Sequence, residues 1–432
     1  MASAAGLALI GAAAAAPPMD SCGDDASCRQ ETDRGTLAFA GEIRVRHQDY
    51  RPFRFGVGAD DDAFRLARAL ASVDWRIGRW QAFAQLGAHA EHGRDGGPGR
   101  TDQSAADVQQ AYLALREGHW TAWAGRQEIG YGSSRLISRR DGPNIRLAFD
   151  GLRLSRATPG YRIDLLALRP VDNRPGAFDD GSDTGQALWG LYATVPTGAA
   201  ARGKLDVYWL GYQRDDARFG GMTGEETRQS FGLRAFGQQG GWDWNVEAVH
   251  QQGRFQPAMA PSLDVRAWTL ASDTGFTFDT APWTPRASIK VDVASGDADP
   301  ADGRLRTFNA LYPRASYFSE SSLIAPANLI DVQPAVTWRP SERIEFTAGW
   351  DFVWKHRRAD AVYTTPTPLT AVAGTAGTSR RIGDQIKLEG SYRPHPDWEI
   401  QLHLARFRAG PGLREAGGRD VDFVSTTVGW QW

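Results

Sequence analysis

Cysteine is nearly absent. Cys22 and Cys28 are the only two in 432 residues, too few for a disulfide framework and without nearby partners for a metal centre. They leave room for one small local disulfide in a secreted chain. No small-residue lipid-attachment sequence precedes Cys22. Long apolar runs are missing too: beyond the first 18 residues none reaches the ~18–20 residues of a spanning helix. A bundle of membrane helices is excluded. The formal net charge is only −2, so nothing pulls the chain toward nucleic acid. Neither a Gly-x-Ser-x-Gly elbow nor a His-Glu-x-x-His pair occurs, and no glycine loop for phosphate. The eight histidines are scattered, and Ser133 and Ser134 have no positioned base. The sequence therefore gives no support for an enzyme or for a cofactor.

Lysine is scarce as well. Of 49 basic residues only Lys204, Lys290, Lys355 and Lys387 are lysine. Coding bias accounts for part of this, and the alternative is a ligand path lined with guanidinium groups, which grip carboxylates bidentately.

What is present is alternation. Residues 1–18, with the apolar Ala4–Ala16 stretch and small residues for cleavage, read as a signal peptide lacking its basic start. Residues 19–35 read as a short periplasmic segment, and 36–432 as a membrane-spanning β-barrel. From Thr36 the period is two: Leu37, Phe39, Ile43 and Val45 alternate with Ala38, Ala40, Glu42, Arg44 and Arg46. Eighteen segments follow this pattern, at 36–46, 64–77, 79–92, 107–116, 119–127, 148–156, 161–168, 186–195, 203–213, 228–237, 242–251, 264–278, 283–294, 329–338, 342–356, 380–393, 397–408 and 421–432. Most approach the ~9–11 residues of a tilted membrane strand.

The connections alternate long and short, as in bacterial outer-membrane barrels with long extracellular loops and short periplasmic turns. Both termini then lie in the periplasm, as an even strand number demands. Tryptophans such as Trp75, Trp80, Trp120, Trp242, Trp338 and Trp398 sit beside the short turns, where an aromatic girdle belongs. The chain ends Gly-Trp-Gln-Trp, similar to the signal read by the barrel assembly machinery. The expected fold is all-β, an 18-stranded antiparallel transmembrane barrel wide enough for an aqueous lumen. Its outer surface would meet membrane lipid.

Parity points charges inward. Segment 342–356 sets Arg343, Glu345, Thr347, Asp351 and Lys355 against Ile344, Phe346, Trp350, Phe352 and Trp354. Segment 380–393 sets Arg381, Gln385, Lys387 and Glu389 against Ile386, Leu388 and Tyr392. An Arg or Lys facing lipid at mid-membrane costs about 2–4 kcal/mol. The candidate lumen residues are Arg44, Arg46, Arg126, Arg153, Lys290, Arg343, Arg381 and Lys387. They read either as a low-affinity carboxylate ladder, weak enough to release what it binds, or as braces paired with Glu42, Glu345, Asp292 and Glu389.

Connection 295–328 carries two further features. Asp297, Asp299 and Asp302 beside glycines could take Ca²⁺ or simply be solvated, as could Asp60–Asp62 and Asp179–Asp183. Phe308, Tyr312, Tyr317 and Phe318 suggest a loop that folds inward or caps the mouth, as a constriction, a sugar-stacking surface or plain packing.

Two stretches carry a family resemblance. One runs from Gly125-Arg126-Gln127-Glu128-Ile129-Gly130 through Asp141-Gly142-Pro143-Asn144 to Phe149-Asp150-Gly151-Leu152-Arg153. The other holds Ser295-Gly296-Asp297, Thr307-Phe308-Asn309-Ala310-Leu311-Tyr312-Pro313 and Tyr317-Phe318-Ser319-Glu320. Together they resemble the alginate-export family of outer-membrane barrels. That resemblance implies a monomeric barrel with an arginine-rich lumen that passes a polyuronate. Arg126 and Arg153 match family positions that include lumen arginines. The family's exporter has a long periplasmic gating loop late in the barrel, whereas Pro394-His395-Pro396 here is short. Expected partners are thus outer-membrane lipid, the assembly machinery and an anionic oligo- or polysaccharide. The alternative is a barrel enzyme or surface-binding protein with a plugged lumen.

Overall fold

The period-two pattern is realised as one antiparallel sheet closed on itself. The computed structural model describes residues 29–32, 35–198, 202–365 and 369–432. The signal segment 1–18, Cys22 and Cys28 lie outside the described residues. Eighteen strands form the wall: β1 (Gly35–Arg51), β2 (Asp62–Ile77), β3 (Trp80–His92), β4 (Ser104–Glu117), β5 (Trp120–Gln127), β6 (Phe149–Thr158), β7 (Tyr161–Asp172), β8 (Gln186–Thr197), β9 (Gly203–Phe219), β10 (Met222–Gln239), β11 (Trp242–Pro257), β12 (Leu263–Thr277), β13 (Arg286–Ala294), β14 (Leu329–Ser341), β15 (Ile344–Lys355), β16 (Arg381–His395), β17 (Trp398–Ala409) and β18 (Val421–Gln431). Each pairs with its sequence neighbour, and β18 pairs with β1 from Glu42↔Gln431 to Arg51↔Asp422, which closes the barrel. Closure removes the sheet edge, so every strand finds its backbone partners inside lipid.

Outward positions carry large apolar side chains with nothing of the protein over them. Phe39, Ile43, Leu113, Leu152, Leu233, Ile386 and Leu402 are all well exposed. Such a continuous apolar exterior is the surface a bilayer covers. Inward neighbours such as Arg44, Arg46, Asp292, Asp331 and Lys387 are buried.

Two connections depart from the sequence reading. Residues 214–227 look like a long charged loop, but β9 and β10 continue through them to a two-residue hairpin at Gly220–Gly221. Both glycines have positive φ, 55° and 85°, the backbone a tight hairpin requires. Arg214 and Asp216 pair at 2.7 Å along the protruding strand, so polar residues serve the ladder above the membrane. Long-short alternation is therefore not strict. The turn expected at 279–282 also widens, because Pro282 and Pro285 cannot donate to a ladder and β13 starts only at Arg286.

Candidate functional site in the lumen

Connections 128–148 and 295–328 leave the extracellular rim and turn down into the barrel. They are joined to each other by backbone bonds. Tyr312 N–H donates to Leu136 O at 2.8 Å, Ser138 N–H to Tyr312 O at 2.9 Å and Arg314 N–H to Ser134 O at 2.9 Å. Ile137, Phe308 and Leu311 are at most 1% exposed, and they pack with wall residues Phe149, Tyr212 and Leu188 in one apolar cluster. The inward fold expected for 295–328 is present. Phe308, Tyr312 and Phe318 are spent in this packing, and Tyr317 is partly buried against it. This is why inward positions of β2, such as Phe64, Leu66 and Leu70, are apolar: they face loop, not water.

The wall cations hold these loops. On one side Arg44 donates to the carbonyls of Asp141 (2.6 Å) and Pro143 (2.8 Å), and Arg46 to that of Gly142 (2.8 Å). Arg68 reaches the Asp141 carboxylate at 2.9 Å and also pairs with Glu42. Arg146 joins the same two acids. On the other side Lys290 donates to Tyr317 O at 2.5 Å, and Lys387 to Phe318 O at 2.5 Å and Gln333 Oε1 at 3.1 Å. Between the clamps, Arg135 of the first loop reaches Glu247 on β11 (2.5 Å) and Asp292 on β13 (3.0 Å), under the Tyr317 ring.

The candidate residues thus fall into two groups. Arg44, Arg46, Arg153, Lys290 and Lys387 lie on inward positions. Arg153 stacks on Trp123 of β5, its guanidinium carbon 3.9 Å from the ring centre. The expected brace partners are not the ones used: loop carbonyls replace Glu42 and Asp292 for Arg44 and Lys290, and Lys387 pairs with Asp351 at 3.2 Å.

Arg126, Arg343 and Arg381 are not lumen residues. Arg126 shares the outward parity of Ala122, Ala124 and Leu152 and is fixed by Asp150 at 2.9 Å. Arg343 lies exposed in the two-residue turn between β14 and β15. Arg381 is turned outward by a register shift: Val353 pairs with Gly383 but Trp354 with Arg381, so the parity of β16 breaks there. Sequence alternation cannot show an inserted residue.

Of the five inward candidates, three have no carboxylate among the described residues within ion-pair distance, Arg44, Arg153 and Lys290, whereas Arg46 has Glu320 and Lys387 has Asp351. Their direct acceptors are carbonyls or ring faces, with Asp292 and Asp331 near Lys290, and Asp141 and Glu42 near Arg44, beyond direct contact. The acids in the loops are used locally. Arg306 sits between Asp297 (3.4 Å) and Asp302 (2.6 Å), and Asp299 accepts the Ala301 N–H at 3.0 Å. A different acidic group, Asp107, Asp179 and Asp180, converges where loop 173–185 lies on β4. There Asp107 Oδ2 accepts the backbone N–H groups of Asp179 and Asp180 at 2.9 and 3.0 Å.

Sequence reasoning missed Arg68, Asp141 and Glu320 as contacts. Glu320 lies 3.6 Å from Arg46 and 3.2 Å from Arg314. The available signal was the clustering of Asp141 and Glu320 within the two quoted motifs.

Solved structures share this architecture at low identity. Pseudomonas aeruginosa OpdK, crystallised with vanillate, aligns with TM-score 0.58 at 10% identity, over 91% of this chain and 98% of its own. Pseudomonas aeruginosa OccK2 (OpdF), in complex with glucuronate, gives TM-score 0.58 at 12% identity, over 91% and 96%. A BenF-like porin from Pseudomonas fluorescens Pf-5 gives TM-score 0.63 at 9% identity, over 92% and 98%. No curated protein sequence matches the chain. The profile of the family described as Alginate export matches residues 36–426, nearly the whole barrel. The chain belongs to the alginate-export family of bacterial outer-membrane β-barrels.

Proposed function

We propose that this barrel is a passive, monomeric outer-membrane channel for carboxylate-bearing sugars, from single uronates to oligo- and polyuronates such as alginate. The observation that carries the reading is the set of lumen cations with no carboxylate in direct contact, Arg44, Arg153 and Lys290. A passing carboxylate gains charge-assisted hydrogen bonds at these groups without having to expel a resident acid. Weak, separated sites suit conduction. Vanillate and glucuronate, bound in two of the similar barrels, are both carboxylates, which supports the same substrate class here.

The packed loops favour a second reading, a plugged barrel acting as a surface-binding protein or enzyme. Single-channel conductance in a planar bilayer separates the two. Anion-selective current, reduced by polyuronate and indifferent to neutral glucan, is the expected result. A silent protein, or current blind to both polymers, overturns the channel for anionic sugars.

A further inference from the structure

The outward turn of Arg381 creates a second charged place, on the lipid side of the wall. Arg381 begins β16 and Arg408 stands one residue from the end of β17, both at the extracellular rim. Their side chains are 45% and 46% exposed. They share one acid: Asp384 Oδ1 accepts from Arg381 at 3.0 Å, and Oδ2 from Arg408 Nε at 2.8 Å and Trp350 Nε1 at 3.1 Å. Two guanidinium groups on one carboxylate leave a net positive charge. Arg408 keeps Nη1, and Arg381 keeps Nε and Nη1, for another acceptor.

The height of the cluster is fixed by β17. Trp398, exposed at the periplasmic girdle, and Arg408 are ten residues apart on one strand, with Ile400, Leu402 and Leu404 outward between them. At ~3.3 Å per residue and a tilt of ~40°, that spans ~25 Å along the membrane normal, the height of the apolar band. Arg408 and Arg381 therefore emerge where hydrocarbon ends. Trp354 stands beside Arg381 across the strand pair and Trp350 lies below it on β15, with the Arg408 guanidinium 5.4 Å from the Trp350 ring centre and that of Arg381 5.9 Å from that of Trp354. Arg406, one outward position lower, already has Asp422 at 3.6 Å.

We propose that Arg381 and Arg408 form a binding site for the phosphate of a phosphorylated lipid headgroup in the outer leaflet. Phosphate matches the forked guanidinium geometry, and the tryptophan faces receive the first part of the lipid chains. The site lies on the opposite side of the wall from the lumen and does not depend on what the lumen carries.

The test is native mass spectrometry of the intact barrel, purified in mild detergent and exchanged with a diphosphorylated glycolipid, the same glycolipid dephosphorylated, or phosphatidylethanolamine. The wild type should retain the phosphorylated lipid, with free inorganic phosphate failing to displace it. Arg381→Gln with Arg408→Gln should lower retention at least about tenfold, or 1.4 kcal/mol. Asp384→Asn, which removes the competing acid, should raise it and serves if the double variant fails to assemble. Equal retention of the dephosphorylated lipid, displacement by free phosphate, or retention unchanged in both variants overturns the site.

Discussion

Arg135 donates to Glu247 at 2.5 Å across 112 residues of sequence, each side chain 3% exposed. One partner belongs to a loop that hangs inside the barrel and the other to the wall. The pair is therefore a fastening of the plug, not of the sheet. Glu247 also accepts from Tyr208 (2.6 Å) and Ser133 (2.7 Å), and Asp292 takes the other end of Arg135.

Arg135→Met leaves two buried carboxylates without their cation. Breaking a buried pair in this way costs about 3–5 kcal/mol. Urea unfolding of the detergent-solubilised barrel should show this loss. Because the wall ladder is untouched, the variant should still assemble and span. A stability equal to wild type would mean that the plug is not held by Arg135.

Neutralising the lumen cations that lack a carboxylate in contact should change selectivity. Arg153→Gln and Lys290→Gln, measured as reversal potential in a salt gradient, should each move the current away from anions, and Arg44→Gln likewise. Lys387→Gln has a built-in contrast, since Lys387 already faces Asp351 at 3.2 Å and its removal exposes that acid. It should shift the potential further toward cations than Lys290→Gln. Identical potentials in all four variants would contradict a path that passes these groups.

Lys355 is fully buried at the end of β15, its Nζ near Arg358 O (3.0 Å), Thr375 O (2.7 Å), Thr378 Oγ1 (3.1 Å) and Asp360 O (3.3 Å). One ammonium gathers both arms of the 356–380 connection. Lys355→Met removes hydrogen bonds from a charged donor worth about 1.5–3 kcal/mol each. Limited proteolysis should then cut this connection at protease levels that spare the wild type. The barrel fragments should remain associated after the cut. Unchanged protease resistance would assign the order of the loop to other contacts.

Asp180 makes loop 173–185 sensitive to pH. Burial, with Asp107 and Asp179 beside it, raises its carboxyl from 3.8 to about 6, against the Arg174 N–H and Arg126 that favour the anion. A raised carboxyl stabilises the packed loop fully below the ordinary value, and that contribution fades as pH rises through the folded value. The window is therefore about pH 4 to 6. Hydrogen exchange at Phe178, whose N–H donates to Ala106 O at 2.9 Å, should show more protection at pH 4 than at pH 7 after correction for intrinsic rates. Asp180→Asn should flatten the dependence. A dependence that survives the substitution would place the titrating group elsewhere.

The sequence by itself determined the wall. Eighteen alternating segments correspond one to one with eighteen strands, because a chain in lipid must put apolar groups out at every second residue and has no freedom to do otherwise. Arg44, Arg46, Arg153, Lys290 and Lys387 could be placed inward on that ground alone. The tertiary structure decided everything that depends on what fills the barrel. Tyr312 as core, Asp141 as the acid beside Arg68, and carbonyls as the partners of Arg44 and Lys290 follow from how two irregular loops fold back, and loops carry no period to read. Local backbone events decided the rest. A register shift beside Gly383 sends Arg381 to the lipid side, and the Gly220–Gly221 turn extends β9 and β10 beyond the membrane. Alternation predicts a face only while the register is unbroken.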